Sequence, residues 1–400
     1  MTPETRISDP RTTDPGTPDP RTLAALKTLI AFDTTSRNSN LACIDWARAH
    51  MESHGATTRM DWNADRTKAN MLASFDDAPG GTILSGHVDT VPTDGQAWTT
   101  DPYTLSLRHG RAYGRGACDM KGFLSVVLGH VPDYAAAGEP IHVALTYDEE
   151  LGCLGIPHLI AAMDRWGKKP AACIVGEPTG MRLVDAHKGG RVYRCHVTGH
   201  AAHSSLTHTA VNAIEYSSVL IARIRDIGVR DRDHGPRAEG FDVPFNTIST
   251  NLCTGGNGPN IVPAAADFLF DYRFIPGTDP AAIIAELETL AATLTAEMRT
   301  IDPAAGIAFA LVNEIPALAP NAPASHDGAA IHARAHALLP PAPTLKVAYG
   351  TEAGFFQRAG IPSIVCGPGS IEQAHKADEY VSLDQLAACD RFIEGVLAWP

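Results

Sequence analysis

Acidic residues and histidines gather at five places along the sequence, each of them close to the end of a short apolar run. The five places are His87-Val88-Asp89, Asp119, Asp148-Glu149-Glu150, Glu177 and His375. Carboxylate oxygens and imidazole nitrogens are common ligands of zinc, and a carboxylate can also take a proton from a water molecule that a metal ion activates. Since the carboxyl ends of strands in open α/β sheets line binding crevices, these residues are candidates for a hydrolytic metal site.

Residues 86–89 have the sequence Gly-His-x-Asp, in which a histidine is followed two residues later by a carboxylate. In an extended chain alternate residues face the same side, so the side chain of Asp89 can reach the ring of His87. A carboxylate that fixes the tautomer of an imidazole is a common arrangement around metal ions. For His87 taken alone, an ordinary core histidine remains the alternative.

Three consecutive acids, Asp148-Glu149-Glu150, follow the apolar run Ile141–Thr146. Consecutive residues of an extended chain point in opposite directions, so Glu149 and Glu150 can perform different tasks. One of them can bind a metal ion while the other acts as a general base. A solvated acidic turn is the alternative for this segment.

Other kinds of site are poorly supported by the sequence. The glycine-interrupted segment 111–122 lacks Walker spacing and the GxGxxG pattern of a phosphate-binding loop, and no GxSxG sequence suggests a serine nucleophile. The formal net charge of −13 argues against nucleic acid as a partner, because binding to phosphates needs clustered Lys and Arg. The eight cysteines include no CxxC pair and are expected to be mostly buried, reduced thiols.

The sequence also gives no sign of a membrane segment. It contains no apolar run approaching the roughly 18 residues of a membrane span, so no membrane association is expected. Residues 1–21 are rich in Thr, Asp and Pro and lack the apolar core of a signal peptide. They are predicted to form a disordered tail, and the protein is expected in the cytoplasm.

The elements that would position the acidic and histidine residues change in character along the chain. Between residues 22 and 186, strand and helix patterns alternate, which predicts an α/β domain with a largely parallel sheet. After Gly189-Gly190 the predicted order is β-α-β-β-α-β, with an amphipathic helix over Asn212–Ile227, and this order is typical of a ferredoxin-like unit. Because 400 residues exceed the size of one hydrophobic core, we expect a domain formed by 22–186 and 318–400, with 187–317 inserted into it.

Seven segments resemble the M20 family of metallopeptidases and deacylases, both in sequence and in order. They are LSGHVDTVP (84–92), YGRGACDMKG (113–122), TYDEELG (146–152), GEPTG (176–180), GHAAHSS (199–205), GTEAGFFQ (350–357) and CGPGSIEQAHKADEY (366–380). The resemblance extends over nearly the whole chain beyond about residue 22. The last two segments are similar to the branch of this family that acts on N-acetylornithine.

The resemblance implies a fold and a role for each of these acidic and histidine residues. The implied fold is a mixed-sheet, zinc-peptidase-like α/β catalytic domain with an inserted ferredoxin-like α+β domain that serves as a lid and as a dimerisation surface. Two Zn²⁺ ions are the implied cofactors, with Co²⁺ able to substitute. In the implied roles, His87 and Glu177 hold one zinc, Glu150 and His375 hold the other, Asp119 bridges them, Asp89 orients His87, Glu149 is the general base, and the Asp119–Met120 peptide bond is cis.

This ligand set is also consistent in charge. Three carboxylates and two neutral imidazoles offset most of the charge of two Zn²⁺ ions. Without metal, the same acids would be crowded and some would have to take up protons. Their nitrogen and oxygen donors suit zinc, cobalt or manganese.

The inserted domain carries three further residues to which the resemblance gives a role. His203 is implied to be a lid histidine that crosses the interface of a homodimer and stabilises the oxyanion in the active site of the partner. Asn260 and Arg273 are implied to meet the carboxylate of the substrate. For Arg273 a structural ion pair is the alternative.

The implied reaction is hydrolysis of the amide bond of a small N-acyl amino acid, with N2-acetyl-L-ornithine as the expected substrate. Another acyl-amino-acid hydrolase, such as a succinyl-diaminopimelate desuccinylase, remains an alternative because the metal-binding segments are shared within the family. A non-catalytic binding protein of the same fold is a more distant alternative. Such proteins typically lack the base or a ligand, and here each of these residues is present.

Overall fold

The computed structural model describes residues 16–76, 78–320 and 326–399. The chain divides into two compact units. Unit 1 contains the chain up to Asp185 together with Pro320–Leu345 and Thr351–Pro400, and unit 2 contains Ala186–Ala319 and Lys346–Gly350. The sequence of unit 2 therefore interrupts that of unit 1.

Helices and strands follow one another closely along the chain. Up to His187 they are α1 (Pro20–Ala31), α2 (Leu41–Glu52), β1 (Thr57–Trp62), β2 (Ala69–Ser74), β3 (Thr82–His87), β4 (Ser106–Arg108), β5 (Arg111–Tyr113), α3 (Lys121–Gly129), β6 (Ile141–Thr146), α4 (Ile156–Arg165), β7 (Ala172–Val175) and β8 (Val184–His187). The next are β9 (Gly189–Thr198), α5 (Ala213–His234), β10 (Thr247–Gly255), β11 (Ala265–Phe274), α6 (Ala281–Met298) and β12 (Gly306–Ile315). The last are α7 (His326–Ala337), β13 (Leu345–Val347), α8 (Ala353–Arg358), β14 (Ser363–Val365), β15 (Tyr380–Ser382) and α9 (Leu383–Leu397).

The largest sheet among the described residues has eight strands in the order β1-β2-β6-β3-β7-β14-β8-β13. Its centre is parallel, since β6, β3, β7 and β14 run in the same direction. The pairs β1–β2, β2–β6 and β14–β8 are antiparallel. The prediction of a largely parallel sheet therefore holds only for the centre of the sheet. For β1 and β2, the connection is too short for a parallel crossover. The sheet is mixed, as the family resemblance implied.

The parallel centre of this sheet brings the acidic and histidine segments to one edge. β3 ends at His87, β6 ends two residues before Asp148, and β7 ends two residues before Glu177. Strands that run in the same direction have their carboxyl ends at the same edge, where open α/β sheets form their crevices. Every residue of β2, β3, β6 and β7 is buried, as expected for strands covered on both faces.

Unit 2 is built on a four-stranded antiparallel sheet with the order β10-β11-β9-β12. With α5 between β9 and β10 and α6 between β11 and β12, the predicted β-α-β-β-α-β order of a ferredoxin-like fold is confirmed. Residues of β11 alternate between buried and more exposed positions, which is the pattern of a sheet covered on one face. The buried residues of the strands and of the two helices form a hydrophobic core within the unit.

Helix α5 is longer than the sequence predicts. The pattern indicates an end at Ile227, before Gly228, but the helix continues to His234. A glycine inside a helix costs about 1 kcal/mol relative to alanine, which a long helix with a buried face tolerates. The absence of a side chain is useful here, because a Cβ on Gly228 would lie 3.3 Å from atoms of Ile248 on β10.

The start of the described chain also differs from the prediction. The disordered tail was predicted to extend to residue 21, but α1 already begins at Pro20. The side chain of Asp19 caps this helix by accepting a hydrogen bond from the backbone N–H of Arg21. Residues 1–15 of that predicted tail lie outside the described residues. None of the helices in the described parts of the chain is long and apolar enough to cross a lipid bilayer.

Helices α1 and α9 are joined by the carboxylate of Asp390, which is 5% exposed. Its Oδ1 accepts hydrogen bonds from Oγ1 of Thr22 at 2.5 Å and from Nε2 of His130 at 3.2 Å. Its Oδ2 accepts a hydrogen bond from the backbone N–H of Asp19 at 2.8 Å. One buried carboxylate thus connects the first helix, the end of α3 and the last helix of unit 1.

Replacing Asp390 with asparagine should lower the free energy of unfolding by about 1–3 kcal/mol, because a buried donor then loses its acceptor. Burial alone would lower the pKa of His130, but its hydrogen bond with Asp390 raises that pKa above the usual value of 6.5. A group whose pKa rises on folding contributes stability that is complete below its unfolded pKa and is lost as the pH rises through the folded value. The stability difference between wild type and Asp390→Asn, measured by denaturant unfolding, should therefore shrink as the pH rises. A difference that is equal at every pH would contradict this account.

Candidate metal centre

Separate elements of unit 1 carry the predicted metal ligands. His87 is the last residue of β3, Glu177 follows β7, and His375 precedes β15. Asp119 lies just before α3. Every residue of this helix is buried, so the helix anchors the end of the loop that carries Asp119. The Asp119–Met120 peptide bond is cis, as the family resemblance implied.

Three buried residues, His87, Asp119 and Glu177, form a first cluster whose ligand atoms lie within 4.8 Å of one another. Nε2 of His87 is 3.1 Å from Oδ1 of Asp119 and 3.9 Å from Oε1 of Glu177. The imidazole is held from its other side, because Nδ1 donates a hydrogen bond to the backbone carbonyl of Asp89 at 2.9 Å. Nε2 is therefore the nitrogen that faces the cluster.

Asp89 contacts its surroundings through both its main chain and its side chain. Its carbonyl is the nearest acceptor for the ring of His87, while its carboxylate oxygen Oδ1 lies 3.5 Å from Nδ1. The same carboxylate accepts hydrogen bonds from Oγ of Ser36 at 2.7 Å and from the backbone N–H of Glu149 at 3.1 Å. Asp89 thus connects the position of His87 with that of the turn that contains Glu149.

Asp119, Glu150 and His375 form a second cluster, whose ligand atoms also lie within 4.8 Å of one another. Nε2 of His375 is 3.0 Å from Oε2 of Glu150 and 3.3 Å from Oδ2 of Asp119. The side chain of His375 is 49% exposed, so the second cluster is more accessible to solvent than the first. Asp119 belongs to both clusters and presents one carboxylate oxygen to each imidazole.

Burial and like charges make the carboxylates of these clusters costly to keep ionised. Burial raises the pKa of Glu177 well above its usual value, and the charges of Asp119 and Glu149 raise it further. Oε1 of Glu177 is buried and has no hydrogen-bond partner among the described residues. A cation between these oxygens would provide the missing partner and offset the crowded charge. Two imidazoles and three carboxylates are a donor set that fits a pair of divalent ions such as zinc.

The neighbouring carboxylates raise the pKa of both histidines. Hydrogen bonds with Asp119 and Glu150 raise the pKa of His375 to about 10. Burial alone would lower the pKa of His87, but its contacts with Asp119 and Asp89 raise that pKa well above the usual value. The arrangement of carboxylates without metal therefore favours the protonated form of both rings.

Glu149 and Glu150 lie in a turn after β6, so the prediction that they point to opposite sides of an extended chain was wrong. Asp148 starts the turn with a left-handed backbone, φ 55°, and the backbone N–H of Cys153 donates to the carbonyl of Glu149 at 2.8 Å. The two glutamates nevertheless have different surroundings. Glu150 belongs to the second cluster, whereas Oε1 of Glu149 accepts a hydrogen bond from Sγ of Cys153 at 3.3 Å. Burial raises the pKa of Glu149 to about 8.

Sequence reasoning missed Ser36, Cys153 and Glu352 as neighbours of the site. Glu352 is 1% exposed, and burial raises its pKa to about 7. Its charge is close enough to Glu149 to raise the pKa of that group further. The acid in the segment GTEAGFFQ could have pointed to Glu352, but nothing in the sequence distinguishes Ser36 and Cys153 from other small polar residues.

Unit 2 contains His203 and Asn260, on two segments that lie side by side. The backbone N–H of Ser204 donates a hydrogen bond to the carbonyl of Asn260 at 3.0 Å. His203 is exposed, and its Nδ1 lies 2.8 Å from Oγ of Ser205. Within unit 2, the structure therefore brings together two of the three residues predicted for substrate contact.

Arg273, the third predicted residue of unit 2, lies on β11 opposite Gly190 of β9. Its Nε donates a hydrogen bond to the carboxylate of Asp271 at 2.8 Å. The alternative of a structural ion pair for Arg273 therefore has direct support from this contact.

Known proteins resemble this chain in sequence and in fold. The model of peptidase family M20/M25/M40 matches residues 83–398. An acetylornithine deacetylase from Myxococcus xanthus is 32% identical over 385 residues, which are 94% of this chain and 96% of that protein. A tripeptidase from Staphylococcus aureus has a TM-score of 0.72 at 18% identity, covering 94% of this chain and 97% of that one. A dinuclear metal-binding peptidase of the M20 family from Bacillus subtilis has a TM-score of 0.65 at 13% identity, covering 94% and 96%.

The two solved structures share their fold with this chain. The sequence match is more informative, because residues 83–398 include every member of the two clusters, from His87 to His375. The relative from Myxococcus xanthus extends this similarity over nearly the whole length of both chains. The chain therefore belongs to peptidase family M20/M25/M40 and is a hydrolase of that family.

Proposed function

We propose that this chain hydrolyses the amide bond of N2-acetyl-L-ornithine to acetate and L-ornithine. The observation that carries the proposal is the carboxylate of Asp119, shared by two ligand clusters in a chain that is 32% identical to an acetylornithine deacetylase. The reaction would supply ornithine for arginine biosynthesis. Its location in the cytoplasm stays a prediction from the sequence.

The two clusters fit two divalent metal ions. His87 and Glu177 would hold one ion, Glu150 and His375 would hold the other, and Asp119 would bridge them. Bound Zn²⁺ would supply Lewis acidity, which polarises the acetyl carbonyl and makes a nearby water molecule more acidic. Co²⁺ accepts the same nitrogen and oxygen donors and is expected to substitute.

Glu149 is the residue that we assign to proton transfer. Without metal, burial raises the pKa of Glu149 to about 8. The charge of two bound divalent ions would lower that pKa, so that the carboxylate can take a proton near neutral pH and return it. Glu149 takes a proton from the attacking water and then delivers it to the nitrogen of the departing ornithine. The hydrogen bond from the thiol of Cys153 fixes one oxygen of Glu149 and thereby orients the carboxylate.

His203 is assigned to the oxyanion that forms when the acetyl carbonyl is attacked. A well-placed donor of this kind typically contributes about 3 kcal/mol to the stabilisation of the transition state. Nδ1 of His203 contacts the hydroxyl of Ser205, which leaves Nε2 to face the substrate. Asn260, on the adjacent segment, is assigned to the substrate carboxylate, while Arg273 is a weaker candidate because it is paired with Asp271.

We further propose that the protein is a homodimer in which each His203 serves the active site of the partner subunit. β10 is an edge strand of the sheet in unit 2, and an edge strand can pair with its symmetry mate. Helix α5 supports such an interface, because it carries exposed apolar side chains at Ile214 and Val219, which are 42% and 45% exposed.

A substrate panel tests the proposed reaction. Zinc-loaded protein should have its highest kcat/KM with N2-acetyl-L-ornithine when this is compared with N-acetylcitrulline, N-acetylmethionine and N-succinyl-diaminopimelate. The matched control is Glu149→Ala, purified in the same way, which should be slower by at least about 10²-fold because it lacks the general base. Highest turnover of the succinyl compound would identify a desuccinylase instead. If no member of the panel is turned over, the chain is not a deacylase of these compounds.

Metal binding should release protons, because a metal ion at Nε2 of His375 must replace the proton that a pKa of about 10 keeps there at neutral pH. Acidification should therefore weaken metal binding. Titration calorimetry with Zn²⁺ in buffers of different ionisation enthalpy, near pH 7, should show release of at least about one proton per chain. Binding that releases no protons and is independent of pH would contradict the assignment of the imidazoles as ligands.

Complementation between two inactive variants tests the role of His203 across a dimer interface. His203→Ala should lower kcat by roughly 10²–10³ without loss of metal, and Glu149→Ala should be inactive for lack of its base. A heterodimer of the two variants contains one site with an intact base and an intact histidine from the partner. Mixed preparations should therefore regain activity in proportion to the fraction of heterodimer.

His208→Ala provides the matched control for this experiment, since His208 is an exposed histidine on the same segment of unit 2. This variant should be nearly as active as wild type. If heterodimers are shown to form and yet remain inactive, His203 acts within its own chain or has no catalytic role.

A further inference from the structure

Glu379, directly before β15, has a carboxylate that is buried against the loop leading to Asp119. Its Oε1 accepts hydrogen bonds from the backbone N–H of Cys118 at 2.9 Å and of Asp119 at 3.1 Å. Its Oε2 accepts hydrogen bonds from the backbone N–H of Gly116 at 3.0 Å and from Nη1 of Arg115 at 2.6 Å. A single side chain thus receives donors from four of the five residues that end at Asp119.

Arg115 offsets the charge of Glu379 in a site where neither group reaches solvent. The two side chains are each 1% exposed. The guanidinium also contacts Gln96 and lies over the ring of Trp98, with 5.1 Å between Cζ and the ring centroid. The cost of burying an ion pair usually cancels most of its attraction, so stability alone is a weak reason for such a pair.

The loop before Asp119 has one internal hydrogen bond, from the backbone N–H of Ala117 to the carbonyl of Gly114, and most of its other N–H groups donate to acceptors outside the loop. Gly116 has a left-handed backbone, φ 77°, and a Cβ at this position would lie 2.7 Å from the side chain of Thr90. A glycine loop has high conformational freedom, so its position is set by whatever binds its N–H groups. Three of these N–H groups point to the carboxylate of Glu379.

Glu379 also connects this loop to the segment that carries His375, four residues earlier in the sequence. The backbone N–H of Gly114 donates to the carbonyl of Glu379 at 3.0 Å, and Tyr380 then pairs with Tyr113 as β15 meets β5. The residue therefore contacts the Asp119 loop through its side chain and through its main chain. Glu379 therefore links the segment that carries Asp119 to the segment that carries His375, and these two side chains meet in the second cluster.

We propose that Glu379 is a positioning residue for the metal centre. Its carboxylate fixes the backbone at Asp119 relative to the His375 segment, so that each oxygen of Asp119 faces one imidazole. Glu379 itself binds no metal in this account, and Arg115 keeps the buried carboxylate from repelling Asp119. The inference rests on the proposed binding of two metal ions by the clusters.

The test compares Glu379→Gln with Asp390→Asn. Glutamine keeps the shape of the side chain but replaces one acceptor oxygen with an amide NH₂, which must face Arg115 or a backbone N–H. Asp390 is the matched control, because it is also a buried carboxylate of unit 1 with several donors, and its partners belong to α1 and the end of α3. Zn²⁺ dissociation constants from chelator competition and the thermal midpoints of the metal-free proteins are measured for both variants.

Glu379→Gln should weaken the binding of at least one Zn²⁺ by about 10–100-fold, the usual effect of losing a residue that orients a metal ligand. Asp390→Asn should lower the thermal midpoint of the metal-free protein and leave both dissociation constants unchanged. Cobalt-loaded Glu379→Gln should also have an altered visible absorption spectrum, which reports the geometry around the metal. If Glu379→Gln weakens zinc binding no more than Asp390→Asn does, the pair of Glu379 and Arg115 is only structural and the inference is wrong.

Glu379→Asp provides a second variant in case the amide prevents folding. It keeps the charge opposite Arg115 but shortens the side chain by one methylene, so the loop must shift to keep its hydrogen bonds. Zinc binding should weaken in this variant too, and unchanged zinc affinity and cobalt spectrum would overturn the inference. A wild-type protein that binds no zinc would overturn the proposed function itself, whereas normal zinc binding by wild type and by both Glu379 variants would overturn only this inference.

Discussion

The carboxylate of Asp119 contacts the ring of His87 through one oxygen and the ring of His375 through the other. This arrangement requires several acids to lie close together away from water, although buried carboxylates of like charge repel one another. The elevated pKa values of Glu177 and of both histidines are consequences of that crowding. Two of the elements beside the site, β3 and α3, are fully buried, and their packing opposes the separation of the carboxylates.

Parallel strand pairing accounts for how distant parts of the sequence reach the same place. β3, β6 and β7 run in one direction, so the segments after them emerge at a common edge. The two remaining contributions, from the loop before α3 and from the segment before β15, do not belong to this sheet. They are held to each other by the pairing of β5 with β15 and by the carboxylate of Glu379. The site therefore depends on two separate sets of hydrogen bonds within unit 1.

Much of the site could be predicted from the sequence, because its residues stand in contiguous motifs beside apolar runs. Periodicity also revealed the β-α-β-β-α-β order of unit 2, where strands alternate in burial and helices have one buried face. The geometry of Glu149 and Glu150 could not be predicted, since the left-handed backbone of Asp148 turns the chain out of the strand. Long-range contacts could not be predicted from the sequence either. Nothing in the local sequence around Glu379 indicates that its side chain binds the loop before Asp119. Short strands such as β5 and β15 have too few residues for a periodic pattern.

The long segment of unit 2, Ala186–Ala319, has paired backbone close to both of its ends. His187 and Leu318 exchange two hydrogen bonds, of 3.0 and 3.1 Å, so the segment Ala186–Ala319 begins and ends at neighbouring positions. The entropic cost of closing such an insertion is only a little larger than that of closing a short loop, because the entropy of loop closure grows slowly with length. Because its ends lie this close together, the inserted segment can change in length at little cost to the closure of the chain.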